Sequence, residues 1–272
     1  MLVPTLLELG TEQQKEEYIR PTLHGEMIWC QGYSEPNAGS DLASLQTKAV
    51  LIDGEWVING QKIWTSTAQY AHMMFCLVRT EPDANKHAGI SYLLIPMETP
   101  GIEIRPLVDM TLKAGFNEVF FTDVKIPETN IVGSRGEGWA VANATLGHER
   151  GSLAPPDAIM SRLNMLIELM QQETLDGKPL SDDSIYRDRL MKIQAKVMAF
   201  QSHALRILSA KLNPGQDVKI GKMIQKYVGT ELRHELEGLA IDVMGEIGIL
   251  YEDSPHLRDK GTWQFIYMSV SY

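Results

Sequence analysis

The sequence predicts an α+β multi-domain protein: a short N-terminal helical tail (1–27), a central antiparallel β-barrel or sandwich (28–131), and a C-terminal up-down helix bundle (132–272). Three observations carry this. Hydrophobic residues alternate with polar ones across the middle of the chain, Pro and Gly punctuate those runs at short intervals, and from Trp139 onward the apolar spacing becomes three and four residues.

The tail holds short helical patterns, with Gly10 as a stop and Thr11 placed to cap "EQQKEEYIRP". "LQTKAVLID" and "EWVINGQKIW" then alternate, and Asp53-Gly54 between them is a hairpin signal. "HMMFCLVRT", "ISYLLIPM", "IEIRPL" and "EVFFTDVKI" follow, so a compact all-β unit is expected. After it, "WAVANATLGHERGSLAPPDAIMSRLNMLIELMQQ", "DSIYRDRLMKIQAKVMAFQSHALRILSAKL" and "DVKIGKMIQKYVGTELRHELEGLAIDVMG" carry helical periodicity. Asn213-Pro214-Gly215 separates the last two as antiparallel neighbours.

The 25 basic and 35 acidic side chains give a net charge of -10, with no extended basic run, which argues against nucleic acid as a partner. No stretch reads as a transmembrane segment or a secretory signal. Cys30 and Cys76 fit neither a metal-ligand spacing nor a disulfide framework and point to a reducing compartment: the cytoplasm, or the mitochondrial matrix in a eukaryote. The seven histidines form no metal constellation; His203 and His234 fall within helices, and His148 neighbours Glu149. Met160, Met165 and Met170 read as core filling. Gly136 and Gly138 in "RGEGW" are like a nucleotide loop only superficially, because no strand, GxGxxG and helix follow in order.

Four blocks in order carry a family resemblance: "YSEPNAGSD", "INGQKIWTSTAQYA", "GFNEVFFTDVKIPETNIVG" and "GEGWAVANATLGHERG". Together they resemble the acyl-CoA dehydrogenases. The resemblance implies an N-terminal helical domain, a β domain and a four-helix bundle, with FAD between the last two. It also implies a chain that lacks most of the first domain and the extreme C-terminus. The implied reaction is α,β-dehydrogenation of an acyl-CoA thioester, in which a glutamate removes the α-proton and hydride passes to flavin. The implied electron acceptor is electron-transfer flavoprotein, and the implied assembly a homo- or hetero-oligomer.

On this resemblance Glu149 in "GHERG" is the catalytic base, at the helix position used by the isovaleryl- and long-chain enzymes. Arg150 lies near the CoA moiety, where a guanidinium suits phosphate contacts. Gln31, Tyr33, Ser34, Gly39 and Ser40 belong to the loop that approaches the flavin, and Ser40 also reaches the substrate thioester. Trp64, Thr65 and Ser66 lie against the flavin ring. Glu35 and Asp41 are expected to serve the loop itself by accepting backbone hydrogen bonds.

Two departures bear on the part of the FAD site that one subunit lends another. The family's Arg-x-x-Phe-Gly segment has no arginine counterpart in "ETLDGKPLSDDSIYRDR", and Glu246 stands in "DVMGEIGIL" where a glycine is usual, leaving Gly245 as the candidate contact there. The alternatives of the same fold are an acyl-CoA oxidase or related flavin monooxygenase, and a non-catalytic partner subunit of a heteromeric acyl-CoA dehydrogenase.

Overall fold

The computed structural model describes residues 1–149, 155–213, 219–251 and 254–269, and the chain divides into two compact units, Met1–Glu149 and Arg150–Tyr272.

In the first unit, α1 (Leu2–Leu9) buries Leu2, Thr5 and Leu6. The helix α2 (Glu12–Leu23) starts at Thr11, whose hydroxyl accepts from the Gln14 N–H at 3.2 Å while the Gln14 side chain accepts from the Thr11 N–H at 3.1 Å. This reciprocal box satisfies two of the donors that a helix start leaves open. The Gln14 amide also donates to the carbonyls of Thr129 and Ile131, stitching the tail to the β region.

Eight strands form one sheet: β1 (Trp29–Gly32), β2 (Lys48–Ile52), β3 (Glu55–Lys62), β4 (Met73–Arg79), β5 (Ile90–Pro96), β6 (Ile102–Leu107), β7 (Phe116–Pro127) and β8 (Ile131–Val132). Their order is β6-β7-β3-β2-β4-β5-β8, with β1 paired to β4. The pairing is antiparallel except for β1 with β4 and a single β2–β4 link at Lys48 and Arg79. At the β2–β3 hairpin Asp53 and Gly54 have φ of 51° and 82°, the double positive φ that a tight two-residue turn needs.

β4 and β5 are buried on both faces, which is why they read as nearly continuous apolar runs. One face joins Met74, Cys76, Leu93 and Ile95 to Trp56 and Ile58 of β3 and to Val119 and Val124 of β7. The other joins Phe75, Leu77, Tyr92 and Leu94 to Leu2 and Leu6 of α1 and to Val141 and Ala142 of α3 (Gly138–Glu149). Within β7 the buried positions change from Val119 and Phe121 to Val124 and Ile126 across Asp123, which has φ of 48°. That is a bulge, and it flips the side-chain alternation.

In the second unit, α4 (Pro156–Gln172) is followed by a minimal hairpin of β9 (Thr174–Leu175) and β10 (Lys178–Pro179). Then come α5 (Ser184–Lys211), α6 (Lys219–Met244) and α7 (Thr262–Ser269). Asp183 caps α5 by accepting from the N–H groups of Ile185 and Tyr186. The core gathers Leu166, Met170, Val197, Phe200, Leu236 and Trp263. Met160 and Met170 pack there as expected, but Met165 does not: it is 38% exposed, and its sulfur lies 3.6 Å from Nη1 of Arg162.

Candidate functional site

β1 ends the parallel pairing with β4 at Gly32, where a Cβ would fall 2.4 Å from the Met74 sulfur, so any side chain there would displace Met74. Half-buried Gln31 sits opposite Phe75. Tyr33 turns inward, its ring edge-on to Phe75 and Tyr92 at 5.8 and 6.3 Å. The chain then makes a tight turn over Pro36-Asn37, closed by reciprocal backbone bonds between Glu35 and Ala38. Beyond it Gly39 and Ser40 are exposed, and a Cβ on Gly39 would meet nothing within 4 Å.

The loop is pinned to the end of β3. Ile63 N–H donates to Ser34 O at 2.9 Å, and the buried Lys62 ammonium donates to Tyr33 O at 3.1 Å and to Glu35 Oε1 at 2.8 Å. Directly after Lys62 and Ile63 the chain turns through Trp64, Thr65 and Ser66, so the two separated motifs become neighbours. Trp64 is 59% exposed and has φ of 59°, with its ring edge-on to Phe116 at 5.9 Å. A bulky residue in the left-handed region with its ring in solvent is a strained arrangement of the kind concentrated at ligand sites. Ser66 is exposed beside it. Thr65 faces inward and is fully buried; its N–H donates to Asn117 O, its carbonyl accepts from Asn117 Nδ2, and its hydroxyl has no partner among the described residues.

Glu149 ends α3, half-buried, one helical turn beyond the buried Thr145. The Thr145 hydroxyl lies 3.0 Å from that of Thr5 and 3.3 Å from that of Tyr92. Burial holds the Tyr33 phenol well above the usual range, with the Glu149 charge acting in the same direction. Arg150 lies outside the described residues. His148 meets Glu8 at 3.2 Å, and no group of metal-ligating side chains occurs among the described residues. Burial pushes the Cys30 thiol up to about 12 and that of Cys76 to about 11, consistent with inert packing groups.

Glu35 behaves as expected, accepting from Gln46 N–H at 2.6 Å and from Thr47 N–H at 2.9 Å. Asp41 does not. Its carboxylate takes the Lys86 ammonium at 2.6 and 2.5 Å, and only its backbone carbonyl serves the loop, accepting from Ser44. Gly136 and Gly138 are accounted for by packing: Gly136 has φ of 84°, and a Cβ on Gly138 would lie 2.3 Å from the Ser91 carbonyl carbon. Gly245 has φ of 55° and open space around it. Lys62 and Asn117 were not singled out from sequence. Lys62 shares the parity of Trp56 and Ile58 in β3, which is the signal that it points inward.

The donor set fits a flavin on structural grounds. An exposed indole, bare backbone at Gly39, and the hydroxyls of Ser40 and Ser66 suit a flat heteroaromatic ring edged with hydrogen-bonding atoms. Across the described residues no helix is long and apolar enough to cross a membrane.

Residues 30–124 match the acyl-CoA dehydrogenase middle domain, and residues 136–266 match the acyl-CoA dehydrogenase C-terminal domain. The chain is 40% identical to acyl-CoA dehydrogenase IpdE1 of Mycobacterium tuberculosis, over 98% of this chain and 67% of the relative. Among solved structures it is similar to the ChsE4-ChsE5 complex from Mycobacterium tuberculosis, at 31% identity and a TM-score of 0.88, covering 99% of this chain and 69% of that one. It is also similar to an acyl-CoA dehydrogenase from Geobacillus kaustophilus, at 26% identity and a TM-score of 0.90, covering 100% of this chain and 70% of that one. A Tcur3481-Tcur3483 steroid ACAD matches with a TM-score of 0.89 at 28% identity, over 99% of this chain and 68% of that one. The chain therefore belongs to the acyl-CoA dehydrogenase family of FAD-dependent oxidoreductases.

Proposed function

We propose that the protein oxidises the Cα–Cβ bond of an acyl-CoA thioester, with Glu149 as the base. The observation that carries this is the joining of the loop 33–41 to the turn 63–67 by the Ser34–Ile63 bond, which makes the two separated motifs neighbours, with Glu149 half-buried at the end of α3. FAD, when bound, would supply the acceptor for the β-hydrogen and its electron pair. Glu149 takes the α-proton on its carboxylate as the double bond forms. Gln31, Tyr33, Ser34 and Gly39 would present backbone and polar edges to the ring, while Ser40 would serve both ring and thioester. Trp64 and Ser66 would flank the ring, and Thr65 fixes the turn between them through Asn117. Arg150 binds the CoA phosphates.

The substrate we infer is a bulky acyl-CoA. Support comes from the steroid ACAD named among the structural neighbours. Electron-transfer flavoprotein is the acceptor in this reading, and the compartment is cytoplasmic, or the mitochondrial matrix in a eukaryote. The assembly we favour is heteromeric, supported by likeness to the ChsE4-ChsE5 complex and by Glu246 at the usual glycine position. The test is anaerobic addition of acyl-CoA thioesters to the full-length protein. Bleaching of the flavin absorbance with slow reoxidation in air supports a dehydrogenase. Rapid reoxidation indicates an oxidase, and a colourless full-length protein indicates a non-catalytic partner.

A further inference from the structure

Lys62 is fully buried and Glu35 is 8% exposed, so their ion pair sits almost out of water. Pairs of this kind recover little net stability, because desolvating both charges offsets most of their attraction, and apolar replacements of similar volume are often neutral. The geometry, however, does something that apolar packing cannot. The Lys62 ammonium ties Tyr33 O at the start of the loop, and the Glu35 carboxylate gathers the N–H groups of Gln46 and Thr47 where the loop returns to β2. Two residues past Lys62 stands Trp64. One charged clasp thus spans the loop's departure, its return, and the strand end that carries the exposed indole.

We propose that the Lys62–Glu35 pair is a positioning clasp that sets the flavin-facing loop against the Trp64 turn. This rests on the flavin reading of that loop. The clasp is directional. Residue 35 must accept from two backbone N–H groups and residue 62 must donate to a carbonyl, so exchanging the charges cannot restore it.

The test uses the full-length protein and three variants: Lys62→Met with Glu35→Met, the milder Glu35→Gln, and the exchange Glu35→Lys with Lys62→Glu. FAD affinity is read by flavin fluorescence quenching, the ring environment by the visible absorption band, and loop anchoring by hydrogen exchange over residues 33–47 in FAD-free protein. The Met pair is expected to keep its far-UV circular dichroism, bind FAD at least tenfold more weakly, shift the visible band, and exchange faster at Gln46 and Thr47 with β4 and β5 unchanged. Glu35→Gln is expected to do the same to a smaller degree, and the exchange variant to show no rescue. Folded variants with wild-type FAD affinity and unchanged exchange would overturn the proposal. So would global unfolding of both the Met pair and Glu35→Gln, which would make the pair a stability element. Failure of the wild-type protein to bind FAD would count against the flavin reading; the exchange measurement still decides the clasp.

Discussion

The guanidinium of Arg162 in α4 meets both carboxylate oxygens of Glu237 in α6, at 2.8 and 2.5 Å, and lies over the Trp263 ring at 3.8 Å. Glu237 is fully buried. Removing the arginine leaves a carboxylate uncompensated in the bundle core, so Arg162→Met is expected to destabilise by about 3 to 5 kcal/mol. Glu237→Gln, which removes the charge and keeps hydrogen-bonding capacity, is expected to cost less. Urea midpoints of the two variants check the order.

The two buried carboxylates have opposite acid signatures. Burial would raise the Glu35 carboxyl, but the Lys62 charge, with hydrogen bonds from Lys62, Thr47 and Gln46, outweighs it and holds the group below the ordinary range. Its stabilisation is therefore complete above the unfolded carboxylate pKa and is lost as pH falls through the lower folded value. For Glu237 burial dominates and raises the carboxyl, so the folded state takes up the proton first and acidification through that window favours folding. The stability difference between wild type and Glu35→Gln should be flat above about pH 5 and change only below it. A Glu237→Gln comparison should instead change above the ordinary glutamate value, as the raised group ionises.

Gly138 and Gly147 lie in the same helix with different surroundings. A Cβ at 138 would stand 2.3 to 2.6 Å from the backbone of Ser91 and Tyr92, whereas at 147 it would meet nothing within 4 Å. Gly138→Ala is expected to cost about 3 kcal/mol by forcing α3 off β5. Gly147→Ala should gain about 0.5 to 1 kcal/mol from helix propensity. Thermal midpoints of opposite sign are the expected outcome.

What the sequence made legible was local. Thr11 caps α2 and Asp53-Gly54 turns the β2–β3 hairpin because each depends on a few adjacent residues. The bulge at Asp123 was missed, although the apolar positions change parity across it, from Val119 and Phe121 to Val124 and Ile126. Met165 has helical spacing yet faces outward beside Arg162, and Asp41 pairs with a lysine 45 residues away, a partner no local rule identifies. The site was legible only in pieces. "YSEPNAGSD" and "GQKIWTS" each stood out, but their junction is a backbone bond between Ser34 and Ile63 and a buried lysine, both set by sheet topology.

The role of Glu149 is tested most directly by Glu149→Gln in the full-length protein, mixed anaerobically with an acyl-CoA that bleaches the wild-type flavin. The expected result is retained FAD, retained acyl-CoA binding, and loss of both bleaching and exchange of the substrate α-proton with deuterium from solvent. Bleaching at the wild-type rate by the glutamine variant would contradict it.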